Sequence, residues 1–206
     1  MCEYKTVEKE SCAEFTEKKS RFIGYVKPVS TQEEAEDFIA AVRSKNREAT
    51  HNVPAFVLSC NHIQRCSDDG EPSGTAGVPV LDAILKSEVK DVCVVVTRYF
   101  GGILLGAGGL VRAYSHASSI ALEAGGIITM APCAVLYVET DYSLYEKVRV
   151  MLEDAGANIE DCIFADRVKI ILSIRESLCD ALSDKLTELS NGRYAFVKTG
   201  IKYAKV

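Results

Sequence analysis

The segment Val92–Thr97 is an unbroken apolar run rich in β-branched residues, of the kind that forms a buried strand. It leads through the glycine-dense stretch Gly101–Gly109 into Leu110–Ala124, where Leu110, Tyr114, Ala117, Ala121 and Ala124 fall on one helical stripe. A strand, a glycine-rich loop and a helix in that order constrain the fold more than any other stretch of the chain. The apolar share is 48% and the charged share 26%, with no excess of glycine or proline, so the remaining residues suffice for an ordinary packed core. At 206 residues there is room for two small domains.

The flanking segments extend the pattern. Cys12–Val29 interleaves Phe15, Phe22, Ile23, Tyr25 and Val26 with charges, as a half-buried strand or hairpin does. Ser30 and Thr31 offer N-caps, Glu33 and Glu34 follow, and Ala35, Phe38, Ile39 and Val42 recur at helical spacing, which predicts a helix ending near Asn46. Val53–Cys60 has strand length, the polar stretch Asn61–Gly77 reads as a long ordered loop, and Val78–Ser87 as a helix. After Gly125 the character changes, placing a domain boundary between Gly125 and Cys133. Beyond it the expected order is strand Ala134–Thr140, helix Leu144–Ala155, strands Ala157–Phe164 and Val168–Ile174, helix Leu178–Ser190 and strand Tyr194–Lys202, the βαββαβ order of a ferredoxin-like fold.

Charge and cysteine content narrow the function classes. The net charge is −5, divided as about −3 before Pro132 and about −2 after it, so neither half coats a duplex through bulk positive charge. Any nucleic-acid contact needs a local patch, and the short runs Lys18, Lys19, Arg21 and Arg43, Lys45, Arg47 are the basic clusters at hand, both compatible with plain solvated surface. The cysteines Cys2, Cys12, Cys60, Cys66, Cys93, Cys133, Cys162 and Cys179 show no CxxC pair and no metal-ligand spacing, and they read as reduced thiols. Met1–Glu10 is charged and lacks the apolar core of a signal peptide. The longest uncharged stretches, Tyr99–Val111 and Ala124–Val138, are too short to span a bilayer. The expected location is cytoplasmic, with no membrane partner.

Two strings carry candidate chemistry. Ser67–Gly77 places Asp68, Asp69 and Glu71 within four positions on a glycine-bearing segment, suited either to oxygen ligation of Mg²⁺ or to capping of turns and helix starts. Arg98–Tyr114 opens a helix with glycines and flanks them with Arg98 and Arg112, a setting for an anion at the positive end of a helix dipole. The same residues equally serve tight packing and pairing of the arginines with Asp68, Asp69 or Glu71. No Gly-Lys-Ser/Thr closes the loop, and a dinucleotide fingerprint started at Gly106 fails at Val111. His51, His62 and His116 could pair with Cys66, Ser67, Ser73 or Ser115, yet no nucleophile elbow or triad order is present.

Asp68-Asp69-Gly70-Glu71-Pro72 with Gly74-Thr75-Ala76-Gly77, and Arg98-Tyr99-Phe100-Gly101-Gly102 with Leu105-Gly106, Gly109-Leu110 and Arg112-Ala113-Tyr114, resemble the signature of the YigZ/IMPACT family. The resemblance implies an α+β protein: an N-terminal ribosomal-protein-like α/β two-layer domain over residues 1–130, and a ferredoxin-like domain over 131–206, each similar to part of elongation factor G. It also implies a translation-associated regulatory or binding protein whose N-terminal domain contacts RNA, the ribosome or a translation factor. Eukaryotic relatives restrain a stress-activated kinase by competing for its ribosome-bound activator. No extra N-terminal partner-binding domain is expected before these residues, so the kinase role is not expected to carry over directly. Many members have Cys soon after the His matching His51, whereas His51-Asn52-Val53-Pro54-Ala55 stands here, excluding a Cys nucleophile at that place.

The expected binding residues are His51, Asp68, Asp69, Glu71, Ser73, Thr75, Arg98, Tyr99, Gly101, Gly102, Gly106, Gly108, Gly109, Arg112 and Tyr114, with no catalytic residue, metal or cofactor assigned. The rival expectation is a Mg²⁺-dependent hydrolase or transferase of a small phosphorylated compound, with Asp68, Asp69 and Glu71 on the ion and Arg98 and Arg112 on phosphate. An interaction adaptor with no small ligand is a third.

Overall fold

The computed structural model describes residues 3–59 and 62–205. Cys2 and Cys60, named above among the thiols, and Asn61, the first residue of the expected loop, lie outside the described residues. The chain divides into two compact units, one of Tyr4–Thr129 and one built from Met130 onward together with Glu3.

In the first unit the elements run β1 (Tyr4–Val7), β2 (Ser11–Glu17), β3 (Ser20–Pro28), α1 (Gln32–Lys45), β4 (His51–Leu58), β5 (Ile63–Cys66), α2 (Gly77–Lys86), β6 (Val92–Tyr99) and α3 (Ala107–Gly125). The sheet order is β2-β3-β6-β4-β5, each pair antiparallel, which puts the valine run of β6 at its centre. Period-two alternation divides that run. Val92, Val94 and Val96 share a core with Phe22, Val26, Val53 and Ala55 beneath Val80 and Ile84 of α2 and Tyr114 and Ala117 of α3. Cys93 and Val95 face the other way, packing with Ile23, Tyr25 and Phe56 against Phe38 and Val42 of α1. The α+β class holds, and α1 adds a third layer where two were expected: a strand apolar on both faces needs cover on both.

Local chemistry sets the element ends. The Thr31 hydroxyl accepts from Glu34 N at 3.2 Å while the Glu34 carboxylate accepts from Ser30 N at 2.6 Å, a capping box with its return bond one residue before the cap, and α1 starts as expected. The hairpin between β2 and β3 turns on Lys18 and Lys19, both at positive φ (46° and 65°), where asparagine and glycine are the favoured pair. Two elements differ from expectation. The expected loop 61–77 contains the edge strand β5, only four residues long, which lacks the length and alternation of a recognisable strand. Helix α3 begins at Ala107, so Gly108 and Gly109 lie in its first turn and not in the preceding loop.

The chain continues with β7 (Ile127–Thr140), which belongs to the second unit from Met130 onward, and then α4 (Tyr142–Asp154), β8 (Asn158–Phe164), β9 (Val168–Arg175), α5 (Cys179–Ser190) and β10 (Val197–Lys205). The antiparallel strands of this unit are ordered β10-β7-β9-β8, the ferredoxin-like arrangement. Val148 and Leu152 of α4 and Leu182 and Leu186 of α5 pack on Ala134, Leu136, Val138, Ile170 and Leu172. β7 starts well before the expected Ala134: residues Met130, Ala131, Pro132 and Cys133 already pair with β10, which carries the strand through the proline. The β9 ladder ends at Cys133, so the proline's missing N–H costs no bond there. Among the described residues no helix is long and apolar enough to cross a membrane.

Candidate functional site

The register of the first sheet places Arg98 beside His51 on one neighbouring strand and Phe22 on the other, all at the end of the face that α3 covers. Arg98 is only 5% exposed. Its Nη1 donates to Glu71 Oε1 at 2.5 Å, and its guanidinium lies 5.5 Å from the Phe22 ring centroid and 5.4 Å from that of Phe100. Tyr114, edge-on to Phe22 from α3, donates its hydroxyl to the same Glu71 oxygen at 2.8 Å. Burial, reinforced by the charge and hydrogen bond of Glu71, pushes the Tyr114 phenol far above its ordinary range, so it serves as a fixed donor. His51 Nδ1 donates to the Asp69 carbonyl at 2.8 Å, which leaves Nε2 3.7 Å from Glu71 Oε1. The two strings therefore meet, with Glu71 as the shared acceptor.

The other carboxylates are held elsewhere. Asp68 accepts from the amides of Gly74 (2.9 Å), Ala76 (3.1 Å) and Gly77 (2.8 Å), anchoring the start of α2. Burial alone raises its pKa, but the three amides outweigh that and hold the carboxyl below the ordinary aspartate range. Asp69 accepts from Asn52 N at 2.7 Å and from Arg43 Nη2 at 2.6 Å, tying the loop to β4 and α1. Thr75 donates to the Pro72 carbonyl at 2.6 Å, and Ser73 is exposed at the loop surface. Each acid thus has its own set of partners, and among the described residues no group of three His, Cys, Asp or Glu converges to hold a metal ion. The Mg²⁺ centre of the rival expectation has no assembled ligand set among these three side chains. Nor does a hydrogen bond among the described residues join His51, His62 or His116 to Cys66, Ser67, Ser73 or Ser115.

The second string separates into parts. Tyr99 faces α1, donating to Asn46 Oδ1 at 3.0 Å, and so lies on the opposite side of the sheet from Arg98. Gly101 is packed so closely on the Lys19 backbone that a side chain would collide with it, while Gly102 and Gly106 adopt positive φ (83° and 73°) on either side of the exposed Ile103 and Leu104. Gly108 leaves one side of the first turn of α3 open, with Arg112 Nη1 near the space its side chain would take, whereas Gly109 is packed against Leu105 so closely that a side chain there would collide with it.

Two clefts flank this helix start. One, of about 410 Å³, is lined by Thr50, His51, Glu71, Pro72 and Arg98 on one side and by Phe100, Leu104, Leu105, Gly106, Ala107 and Leu110 on the other. The second, of about 280 Å³, lies between the β2–β3 hairpin and α3, lined by Phe15, Glu17, Lys18, Leu105, Gly109, Arg112, Ala113 and His116. Sequence reasoning missed Phe15, Thr50, Pro72 and Leu105 because their role depends on which loops meet. Lys18 was visible as part of a basic run, with nothing to show that it faces Arg112.

The fold and site define a two-unit α+β protein whose first unit buries a glutamate–arginine–tyrosine cluster beneath a glycine-opened helix. The chain belongs to the IMPACT family: residues 18–122 match the Impact N-terminal domain and residues 138–193 match a domain of unknown function, DUF1949. It is 40% identical over 191 residues to the IMPACT family member YvyE of Bacillus subtilis, covering 92% of this chain and 88% of that protein. It is 38% identical over 97 residues to Protein IMPACT of Mus musculus, covering 44% of this chain and 30% of that protein. Among solved structures, a crystal structure of a hypothetical protein superposes with a TM-score of 0.61 at 28% identity, covering 97% of this chain and 98% of the other.

Proposed function

We propose that this protein is a translation-associated binding protein whose first unit contacts RNA, as found in ribosomes, through the groove between the β2–β3 hairpin and α3. The translational setting is supported by kinship with the eukaryotic IMPACT proteins. One observation carries the RNA contact. In a chain of net charge −5, Lys18, Lys19 and Arg112 make no ion pair among the described residues, and Lys18 and Arg112 line one groove at the start of α3. The helix start has no side-chain cap, and with Gly109 in the groove wall it brings the positive end of its dipole there, a seat for phosphate. Phe15 and His116, in edge contact at 4.7 Å between ring centroids, add an aromatic wall suited to a base.

Glu71, held by Arg98, supports this surface from below by accepting from the Tyr114 hydroxyl of α3. The test is ribosome co-sedimentation and binding of a short single-stranded RNA by the Lys18→Ala/Arg112→Ala variant. Both positions are at the surface, so the fold persists. We expect RNA affinity to fall about tenfold or more, since each lost phosphate contact releases fewer counterions. Unchanged binding by the folded variant overturns the assignment.

A further inference from the structure

The larger cleft is not part of the basic groove, and its chemistry differs. Its wall is apolar, formed by Pro72, Phe100, Leu104, Leu105 and Leu110, yet its floor holds the buried guanidinium of Arg98. Glu71 takes Nη1. The Nε–H of Arg98, which points along the edge that Glu71 leaves open, donates to nothing among the described residues although the atom is buried. A buried donor on a charged group without an acceptor is costly, and a planar fork with one open edge matches the two oxygens of a carboxylate.

We propose that this cleft is a binding site for a monocarboxylate carried on a compact apolar body, such as the C-terminal end of a peptide or a free apolar acid. The carboxylate occupies the open edge of Arg98, and the apolar body rests on Leu104, Leu105 and Leu110. Charge selects against a phosphate monoester. Glu71 already lies on the other edge of the same guanidinium, so each additional negative charge on the ligand is repelled by it, and a dianion is disfavoured relative to a monoanion. The volume of about 410 Å³ falls within the range of small-molecule sites.

Access follows from the loop. The Phe100 ring forms the outer side of the stack on Arg98 and is 46% exposed, while its backbone N–H is held by the Thr50 hydroxyl at 3.1 Å. The ring can swing outward about its side-chain bonds with the main chain in place, opening its side of the guanidinium to the cleft. Gly106 and Ala107 of the α3 start line the same cleft, which brings the positive end of that helix's dipole to the arriving oxygens.

The experiment is a titration of ¹⁵N-labelled full-length protein with N-acetyl-leucine, N-acetyl-leucinamide and phenyl phosphate, read on the Nε–H resonance of Arg98 and the amides of Gly106 and Ala107. We expect saturable shifts with the acid, and affinity at least about tenfold weaker for the amide and for the phosphate. A tetrapeptide ending in leucine binds more tightly than the acid if the natural ligand is a chain end, and more weakly if it is a free acid. Leu104 is 82% exposed, so Leu104→Asp leaves the core intact while placing a negative charge on the wall, and it should weaken the acid by about fivefold or more. The proposal is overturned if the amide or the phosphate binds as tightly as the acid, if Leu104→Asp has no effect, or if none of the resonances saturates up to about 20 mM ligand. RNA binding through the Lys18/Arg112 groove can fail or hold independently of each of these outcomes.

Discussion

Gly24 of β3 lies directly against the carbonyl oxygen of Ala117 in α3: a side chain there would run into that oxygen and reach within 2.8 Å of Ala121 Cβ. This contact sets how closely the long helix approaches the sheet, and hence the depth of both clefts at its N-terminal end. Gly24→Ala forces backbone apart from backbone in a packed core, a change that costs about 1–3 kcal/mol. Urea unfolding should show that loss. A midpoint equal to wild type would mean that α3 does not rest on β3 as described.

The pair Arg98 and Glu71 leads to a second expectation. Replacing Arg98 by Ala strands a carboxylate with a side chain only 3% exposed, an arrangement that costs about 3–5 kcal/mol. Adding Glu71→Gln removes the orphaned charge, so the double variant should recover part of the stability that the single variant loses. Thermal unfolding of wild type, both single variants and the double variant measures the coupling. Additive losses would show that the two groups do not act as a pair.

How much of this was legible beforehand depended on whether the signal was local. The capping box at Thr31 and Glu34 and the valine run of β6 specify their elements by themselves, and both elements form where expected. The start of α3 was misplaced because Gly108 and Gly109 are poor helix formers, and only tertiary packing holds them in the first turn. The strings around Glu71 and Arg98 were recognisable as strings. Which acids face inward was not, because Asp68 and Asp69 are adjacent in sequence yet one turns to the α2 amides and the other to Asn52 and Arg43. The basic groove was the least legible part, since it joins a hairpin tip to a helix about ninety residues later in the chain.

Asp68 should produce a distinctive pH dependence. Its folded carboxyl releases its proton more readily than the unfolded one, because the Gly74, Ala76 and Gly77 amides outweigh the effect of burial. The stabilisation is therefore complete above the unfolded pKa and disappears as pH falls through the lower folded pKa. Asp68→Asn should lose about 1 kcal/mol at neutral pH, as for loss of a helix-start acceptor, and the gap to wild type should close as pH falls through and below the ordinary aspartate range. A gap of constant size across that window would sever the link to ionisation.

Cys93 offers a test of the α1 layer. Its thiol is buried between β6 and the Ala35 carbonyl, and burial pushes its pKa up to about 12. Thiolate-directed labelling near neutral pH, mapped by mass spectrometry, should modify the exposed Cys12 and leave Cys93 untouched until the protein is unfolded. Rapid native labelling of Cys93 would show that α1 does not cover that face of the sheet.

The basic groove makes its sharpest statement through salt. If Lys18 and Arg112 each neutralise one phosphate of a single strand, the slope of log affinity against log salt should become shallower by about 0.7 for each residue removed. Lys18→Ala and Arg112→Ala should therefore shift the slope by similar steps, and the double variant by about twice as much. Lys90, which lies away from the groove, serves as the control: Lys90→Ala should leave the slope unchanged. A local groove and diffuse attraction by the whole protein both weaken with salt, but only the groove gives this residue-by-residue difference. If Lys90→Ala alters the slope as much as Arg112→Ala does, the contact is non-specific, because an acidic protein that holds RNA must do so through a few chosen cations.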